Sequence, residues 1–202
     1  MGIAGDVSDQ ALAERIVDTA TSTYGQLDVL CNNAGLGDLN HGIADVTNEM
    51  WQRLLDINLA GPMFTTRRAV PVMIKQGGGS IINTASLAGL GGGAMGVAYT
   101  VAKHGLVGLT RSTAWMYAQK GIRCNAICPG AVKTNIVTNI MTEFDTDKMD
   151  PVGSERTRLY VSLKPALLEP IDIARLALFL ASDESRYING AIIPADAGWR
   201  AA

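Results

Sequence analysis

The sequence predicts an α/β domain built on a parallel sheet. Short apolar runs of strand length alternate along the chain with segments whose apolar residues recur at helical spacing. The runs end in Asn, Gly or Pro turn signals, as in Cys31-Asn32-Asn33-Ala34-Gly35 and Cys128-Pro129-Gly130. Hydrophobic residues make up 48% of the 202 residues and charged residues 18%, enough for one well-cored domain spanning the whole chain.

The elements follow in order. Residues 2–5 form a short apolar stretch ending at Asp6, read as a first strand. Residues 9–24 place Leu12, Ile16, Val17 and Ala20 on one helical face, with Ser8 or Asp9 as cap and Gly25 as stop. Residues 27–31 read as a buried strand. A long helix is expected over 47–75, kinked near Ala60 to Pro62 because proline lacks a backbone donor. Gly77 to Gly79 end it, and residues 80–84 form the next strand. Residues 87–96 are glycine-rich and are expected to form a mobile loop. A helix over 98–120 closes at Gly121, and a strand over 122–127 ends at Pro129-Gly130. The pattern dissolves over 131–169, as in a lid over a site. A helix over 171–182 and a strand over 191–194 complete the chain.

The bulk numbers exclude several classes. A net charge of −2 gives no electrostatic footing for nucleic acid or an anionic membrane. No apolar run reaches spanning length. Three cysteines, Cys31, Cys124 and Cys128, give no disulfide framework and fit a reduced cytoplasmic protein. Cys124 and Cys128 read as same-face positions of a buried strand rather than metal ligands, since His41 and His104 supply no matching pair. No metal is expected.

Tyr99 and Lys103 lie four residues apart, so a helix places them on one face, with Ser86 shortly upstream. When a carbonyl is reduced, negative charge grows on oxygen and a proton must reach it. A tyrosine hydroxyl can deliver that proton, but its ordinary pKa of about 10 slows exchange at neutral pH. A nearby ammonium favours the phenolate and is expected to lower that pKa. A serine hydroxyl can bind and orient the same oxygen.

These residues stand among others in a recognisable order. Asp6-Val7, Asn32-Asn33-Ala34-Gly35, Asn58 in Asp-Ile-Asn-Leu-Ala-Gly, Ser86, Tyr99-x-x-x-Lys103 and Pro129-Gly130-x-x-x-Thr134 all occur. Over essentially its whole length the chain resembles the short-chain dehydrogenase/reductase family. The resemblance implies a Rossmann-like, doubly wound parallel sheet and a carbonyl/alcohol oxidoreductase acting on a small molecule with NAD or NADP. It implies Tyr99 as acid/base, Ser86 as the carbonyl-binding hydroxyl, and Lys103 as tuner of Tyr99 and holder of the ribose. Asn58 would place a relay water, or simply satisfy backbone groups in a bent helix. Asp6 and Val7 would lie against the adenine. Asn33, Ala34 and Gly35 would pass the ribose, while Gly130, Val132 and Thr134 would meet the nicotinamide end. The loop over 131–170 would select substrate. Its Met141, Phe144, Met149, Tyr160, Val161, Leu163, Leu167 and Leu168 suit an apolar substrate, and Arg156, Arg158 and Lys164 leave an acidic one open.

The family's glycine-rich phosphate turn and the strand that selects NAD or NADP are missing from these 202 residues. Gly77 to Gly79 and Gly91 to Gly93 do not follow a strand and open a helix. The resemblance therefore implies an N-terminally truncated member lacking the first βαβ unit, with impaired cofactor binding. The alternative is a non-catalytic member serving as an oligomeric or binding module. The strand at 27–31 would then be an exposed edge unless residues 2–5 or another chain cover it. Ala102, Leu106, Leu109, Ala114, Trp115 and Tyr117 offer more apolar surface than one core face needs, which suggests a homodimer or homotetramer.

Overall fold

The structure, a computed structural model, describes residues 1–136, 150–162 and 167–200. The elements among them are α1 (Gln10–Tyr24), β1 (Val29–Asn32), α2 (Asn48–Leu55), α3 (Gly61–Gln76), β2 (Gly79–Thr84), α4 (Val97–Tyr117), β3 (Ile122–Pro129), α5 (Pro151–Ser162), α6 (Pro170–Ala181) and β4 (Ile192–Ala195). Their order alternates helix with strand, as the sequence pattern requires. All strand pairs are parallel, in spatial order β1-β2-β3-β4. Leu30 stands opposite Ile81, and Ile81 opposite Cys124.

Side-chain alternation divides the core into two layers. On one face Leu30, Ile81, Ile122 and Cys124 meet Ala69, Val70 and Met73 of α3 and Ala114 of α4. Farther along, Ala126 and Cys128 meet Leu106 and Val107 of α4. On the other face Ile82 and Ile127 pack under Leu180 of α6. Cys124 and Cys128 thus share a buried strand face, as their spacing predicts.

The local signals decide the ends. Asp9 caps α1 by accepting from Ala11 N at 2.9 Å, and Gly25 leaves it at φ 83°. Thr47 caps α2 through Met50 N at 3.1 Å. The expected kink between α2 and α3 is a π turn over Asp56–Ala60, slightly earlier than the proline suggested. Pro62 follows directly on that π turn, at the start of α3, in a helix that runs on from α2 without a break.

Three expectations are corrected. Residues 2–5 form no strand. The following Val7 packs on the start of α3 instead: a Cβ on Gly61 would lie 2.9 Å from the Val7 carbonyl. The edge strand β1 is therefore uncovered, with Val29 and Cys31 exposed. Residues 87–96 begin as a buried 3-10 turn, Leu87–Gly89. Gly89 allows it to press on α4, since a Cβ there would sit 2.8 Å from the Lys103 carbonyl. Residues 131–170 contain the helix α5, started by Asp150, whose carboxylate accepts from Gly153 N at 2.7 Å, and by Pro151. The base of this segment is pinned where Leu168 N donates to the Ala131 carbonyl and Lys133 N to the Leu168 carbonyl, both at 2.9 Å.

Candidate active site

The carboxyl ends of parallel strands leave their last groups open beside helix starts, and candidate residues collect there. β2 delivers Ser86 two residues past Thr84. Its hydroxyl accepts from Ala88 N at 3.1 Å and lies near enough to the Tyr99 hydroxyl to favour its ionised form. The helical spacing of α4 stacks Lys103 one turn below Tyr99, and both are buried. The Lys103 ammonium donates to the Thr84 carbonyl at 2.8 Å and stands 5.4 Å from the Tyr99 ring centroid. The structure thus brings together Ser86, Tyr99 and Lys103.

Burial governs their acidity. It pushes the Tyr99 phenol up to about 12, with the Ser86 hydroxyl acting in the opposite sense and the Asp38 carboxylate adding to the rise. It pushes Lys103 down to about 8. The expectation that Tyr99 lies below its ordinary value is therefore not met. Removing water penalises the phenolate and the ammonium alike, so each group moves toward its neutral form.

Asn58 sits in the π turn and is fully buried. Its Oδ1 accepts from Leu36 N at 3.2 Å; its Nδ2 donates to the carbonyls of Leu36 at 2.8 Å and Leu54 at 3.0 Å. The carboxamide satisfies backbone groups that the irregular turn and the strand-end loop would otherwise leave unpaired. Between Asn58 and Lys103 lies Gly35. A Cβ on it would stand 3.1 Å from Asn58 Oδ1 and 3.5 Å from Lys103 Nζ.

The candidate cofactor residues divide. Asn33, Ala34 and Gly35 are exposed above the end of β1, and Asn33 Oδ1 accepts from Thr84 Oγ1 at 3.0 Å. Gly130 lies near the chain's last turn, where an added Cβ would meet Asp196 at 3.1 Å and the Trp199 ring at 3.4 Å. Val132 bridges to Leu168, and Thr134 Oγ1 accepts from Ile136 N at 3.4 Å. Asp6 stands apart: Arg53 at 2.6 Å and the Ser8 amide and hydroxyl hold its carboxyl down to about 2. Val7 packs toward Leu36, Met50 and Ile57. The absent side chain of Gly35 leaves space beside Asn58 Oδ1 and Lys103 Nζ that a Cβ would enter. Among the described residues no glycine-rich turn follows a strand and opens a helix.

Of the substrate-loop residues, Leu167 is exposed and Leu168 partly buried. Arg156 is exposed on α5, whose backbone also carries Arg158, Tyr160 and Val161. Met141, Phe144, Met149, Leu163 and Lys164 lie outside the described residues. Of the apolar positions suggested for assembly, Ala102, Leu106 and Ala114 are buried in the core, whereas Trp115 is 84% exposed. Among the described residues no helix is long and apolar enough to cross a membrane.

Sequence reasoning missed Asp38 and Asn32. Asp38 is buried and accepts from two backbone groups of α4. Asn32 links β1 to Asn83 of β2 at 2.9 Å and to Thr66 of α3 at 3.2 Å, and its Oδ1 accepts from Thr65 at 2.7 Å. The doubled Asn was a signal for Asn32; Asp38 had none, because its partners lie 58 and 61 residues away.

The chain is similar to known proteins along almost its whole length. A family profile described as enoyl-(acyl carrier protein) reductase matches residues 1–200. The short chain dehydrogenase adrF of Penicillium rubens is 41% identical over 98% of this chain and 78% of its own. The 3beta-hydroxysteroid dehydrogenase 2 of Eggerthella lenta is 43% identical over 97% of this chain and 74% of its own. The crystal structure of carveol dehydrogenase from Mycobacterium avium in complex with NAD superposes with a TM-score of 0.84 and 33% identity, covering 98% of this chain and 74% of the other.

Proposed function

We propose that this chain, which belongs to the short-chain dehydrogenase/reductase family, interconverts a carbonyl and an alcohol with Tyr99 as the proton donor and acceptor. The observation that carries the reading is Lys103 buried one helical turn from the buried Tyr99, its ammonium 5.4 Å from the Tyr99 ring centroid and bonded to the Thr84 carbonyl beside Ser86. A bound nicotinamide cofactor, NAD or NADP, supplies or removes hydride at the substrate carbon. Ser86 orients the oxygen, and the Tyr99 hydroxyl gives it the proton as its charge grows. With Tyr99 raised to about 12, the phenol is protonated at neutral pH and can act as the donor. Lys103 and the Asn33–Ala34–Gly35 turn hold the nicotinamide-ribose end, with Gly130, Val132 and Thr134 on the far side. Asn58 holds the backbone that shapes this opening and offers a place for a relay water. Asp6, paired with Arg53, and Val7 lie toward the adenine end.

The relatives named for a hydroxysteroid and for carveol favour a ketone or secondary alcohol on an apolar body. The apolar residues of 131–170 agree with that choice. Trp115, at 84% exposure, and Met116, at 66%, favour a homodimer or larger homo-oligomer through α4. A second reading is a binding module without turnover, since among the described residues no glycine-rich turn follows a strand and opens a helix. Tyr99→Phe separates the two. Turnover of a ketone with NADH or NADPH falls at least about a thousandfold with the circular dichroism unchanged if Tyr99 is the acid/base. Unchanged turnover would overturn that role.

A further inference from the structure

α4 carries Tyr99 in its first turn, yet it has no side-chain cap of its own, since Gly96 stands at the N-cap position. A helix leaves its first N–H groups without partners inside the helix. Here a segment from elsewhere in the chain takes them. Gly96 N donates to Asp38 Oδ1 at 2.8 Å and to the Leu39 carbonyl. Val97 N donates to the His41 carbonyl at 3.0 Å. Tyr99 N donates to Asp38 Oδ2 at 3.0 Å. One carboxylate thus spans the first turn of the helix, with an oxygen on each side.

The clamp is tightly built. Asp38 is 0% exposed. Gly96 has to be glycine for the carboxylate to come this close, since a Cβ there would lie 2.7 Å from Asp38 Oδ2. Leu39 takes φ 50°, a conformation that bulky residues rarely hold without support. The buried His41 places Nδ1 2.6 Å from the Asp38 carbonyl. The same strap reaches the start of α5: Asp150 N donates to the Asn40 carbonyl at 3.0 Å.

We propose that Asp38 is the positioning residue of Tyr99: its buried carboxylate fixes the first turn of α4 from outside the helix and so sets where the Tyr99 hydroxyl stands. The proposal rests on the reading of Tyr99 as acid/base. It has an electrostatic corollary. The groups acting on Tyr99 are Ser86, Asp38, Lys103 and Cys128, and those on Asp38 are His41 and the Gly96 and Tyr99 amides. Burial is the larger cause of the Tyr99 rise and the ionised Asp38 adds to it, while burial raises the Asp38 carboxyl as well.

The test compares the full chain with Asp38→Asn and Asp38→Ala. Amide hydrogen exchange at Gly96 and Tyr99 reports the clamp without any turnover. Exchange there rises at least about tenfold in both variants while β2 and β3 keep their protection. The phenol titration, taken as the difference between each protein and its Tyr99→Phe partner, moves to lower pH in Asp38→Asn. In ketone reduction kcat falls about 10- to 100-fold with KM within about twofold, the pattern of a displaced acid. Unchanged exchange together with an unmoved phenol titration would overturn the proposal. So would a nearly isosteric Asp38→Asn that no longer folds, because the role would then be structural alone. Retained turnover in Tyr99→Phe would overturn the acid/base reading instead, and leave the exchange result standing.

Discussion

At the centre of the sheet, where β2 and β3 meet α4, the candidate side chains are anchored: Lys103 to Thr84, Asn58 to Leu36 and Leu54, and Ser86 to Ala88. At the β1 edge the same sheet ends in exposed Val29 and Cys31, and Asp6 and Arg53 pair with their side chains 44% and 39% exposed. The centre is held by buried polar bonds that water cannot replace. The edge is held by surface contacts that water replaces readily. The proposed proton-transfer face and the β1 edge thus share little of their support.

The contrast can be broken from either side. Asn58→Ala has the largest expected effect. It strips partners from the Leu36 amide and carbonyl and the Leu54 carbonyl, and stability falls by about 3–5 kcal/mol, read as a drop in the urea midpoint.

Lys103→Met comes next, and its signature is pH dependence. With Lys103 at about 8 when folded against 10.5 when exposed, the unfolded chain binds the extra proton between those values. Stability therefore rises with pH across that window, by at most about 3 kcal/mol. The Met variant loses this rise and is the more stable protein at pH 7. Tyr99 acts oppositely: raised from 10.0 to about 12, its contribution is full below 10 and is lost as pH climbs toward 12. Tyr99→Phe flattens that fall. Parallel stability curves for wild type and Lys103→Met would show that Lys103 keeps its proton at no cost.

At the edge the effects shrink. Asp6→Asn costs less than about 1 kcal/mol at pH 7, because the pair is exposed and screened. The difference from wild type fades as pH falls from about 4 toward 2, where the depressed Asp6 carboxyl takes up its proton. A loss comparable to that of Asn58→Ala would erase the distinction between the regions. Val29→Lys changes the urea midpoint least, within about 0.5 kcal/mol, and lowers light scattering at high concentration by charging an open edge.

The same division governs what was legible in the sequence. Helix α1, its Asp9 cap and Gly25 stop, the alternation of strands, and the Tyr99–Lys103 face all depend on neighbours within a turn or two. The Asp38 clamp and the sense of the Tyr99 shift depend on burial and on partners far along the chain. Residues 2–5 had the right polarity for a strand, but contacts of Val7 at Gly61 hold the neighbouring chain at α3 instead. The start of α5 was legible in hindsight, since Asp150-Pro151 is a helix-opening pair hidden among irregular residues.

The central proposal is that the described residues carry a proton-transfer face without a glycine-rich phosphate turn, and so hold a dinucleotide weakly. Calorimetric titration of the chain with NADH and with NADPH tests it most directly. The account predicts a dissociation constant weaker than about 0.1 mM for both. Submicromolar binding of either would contradict it.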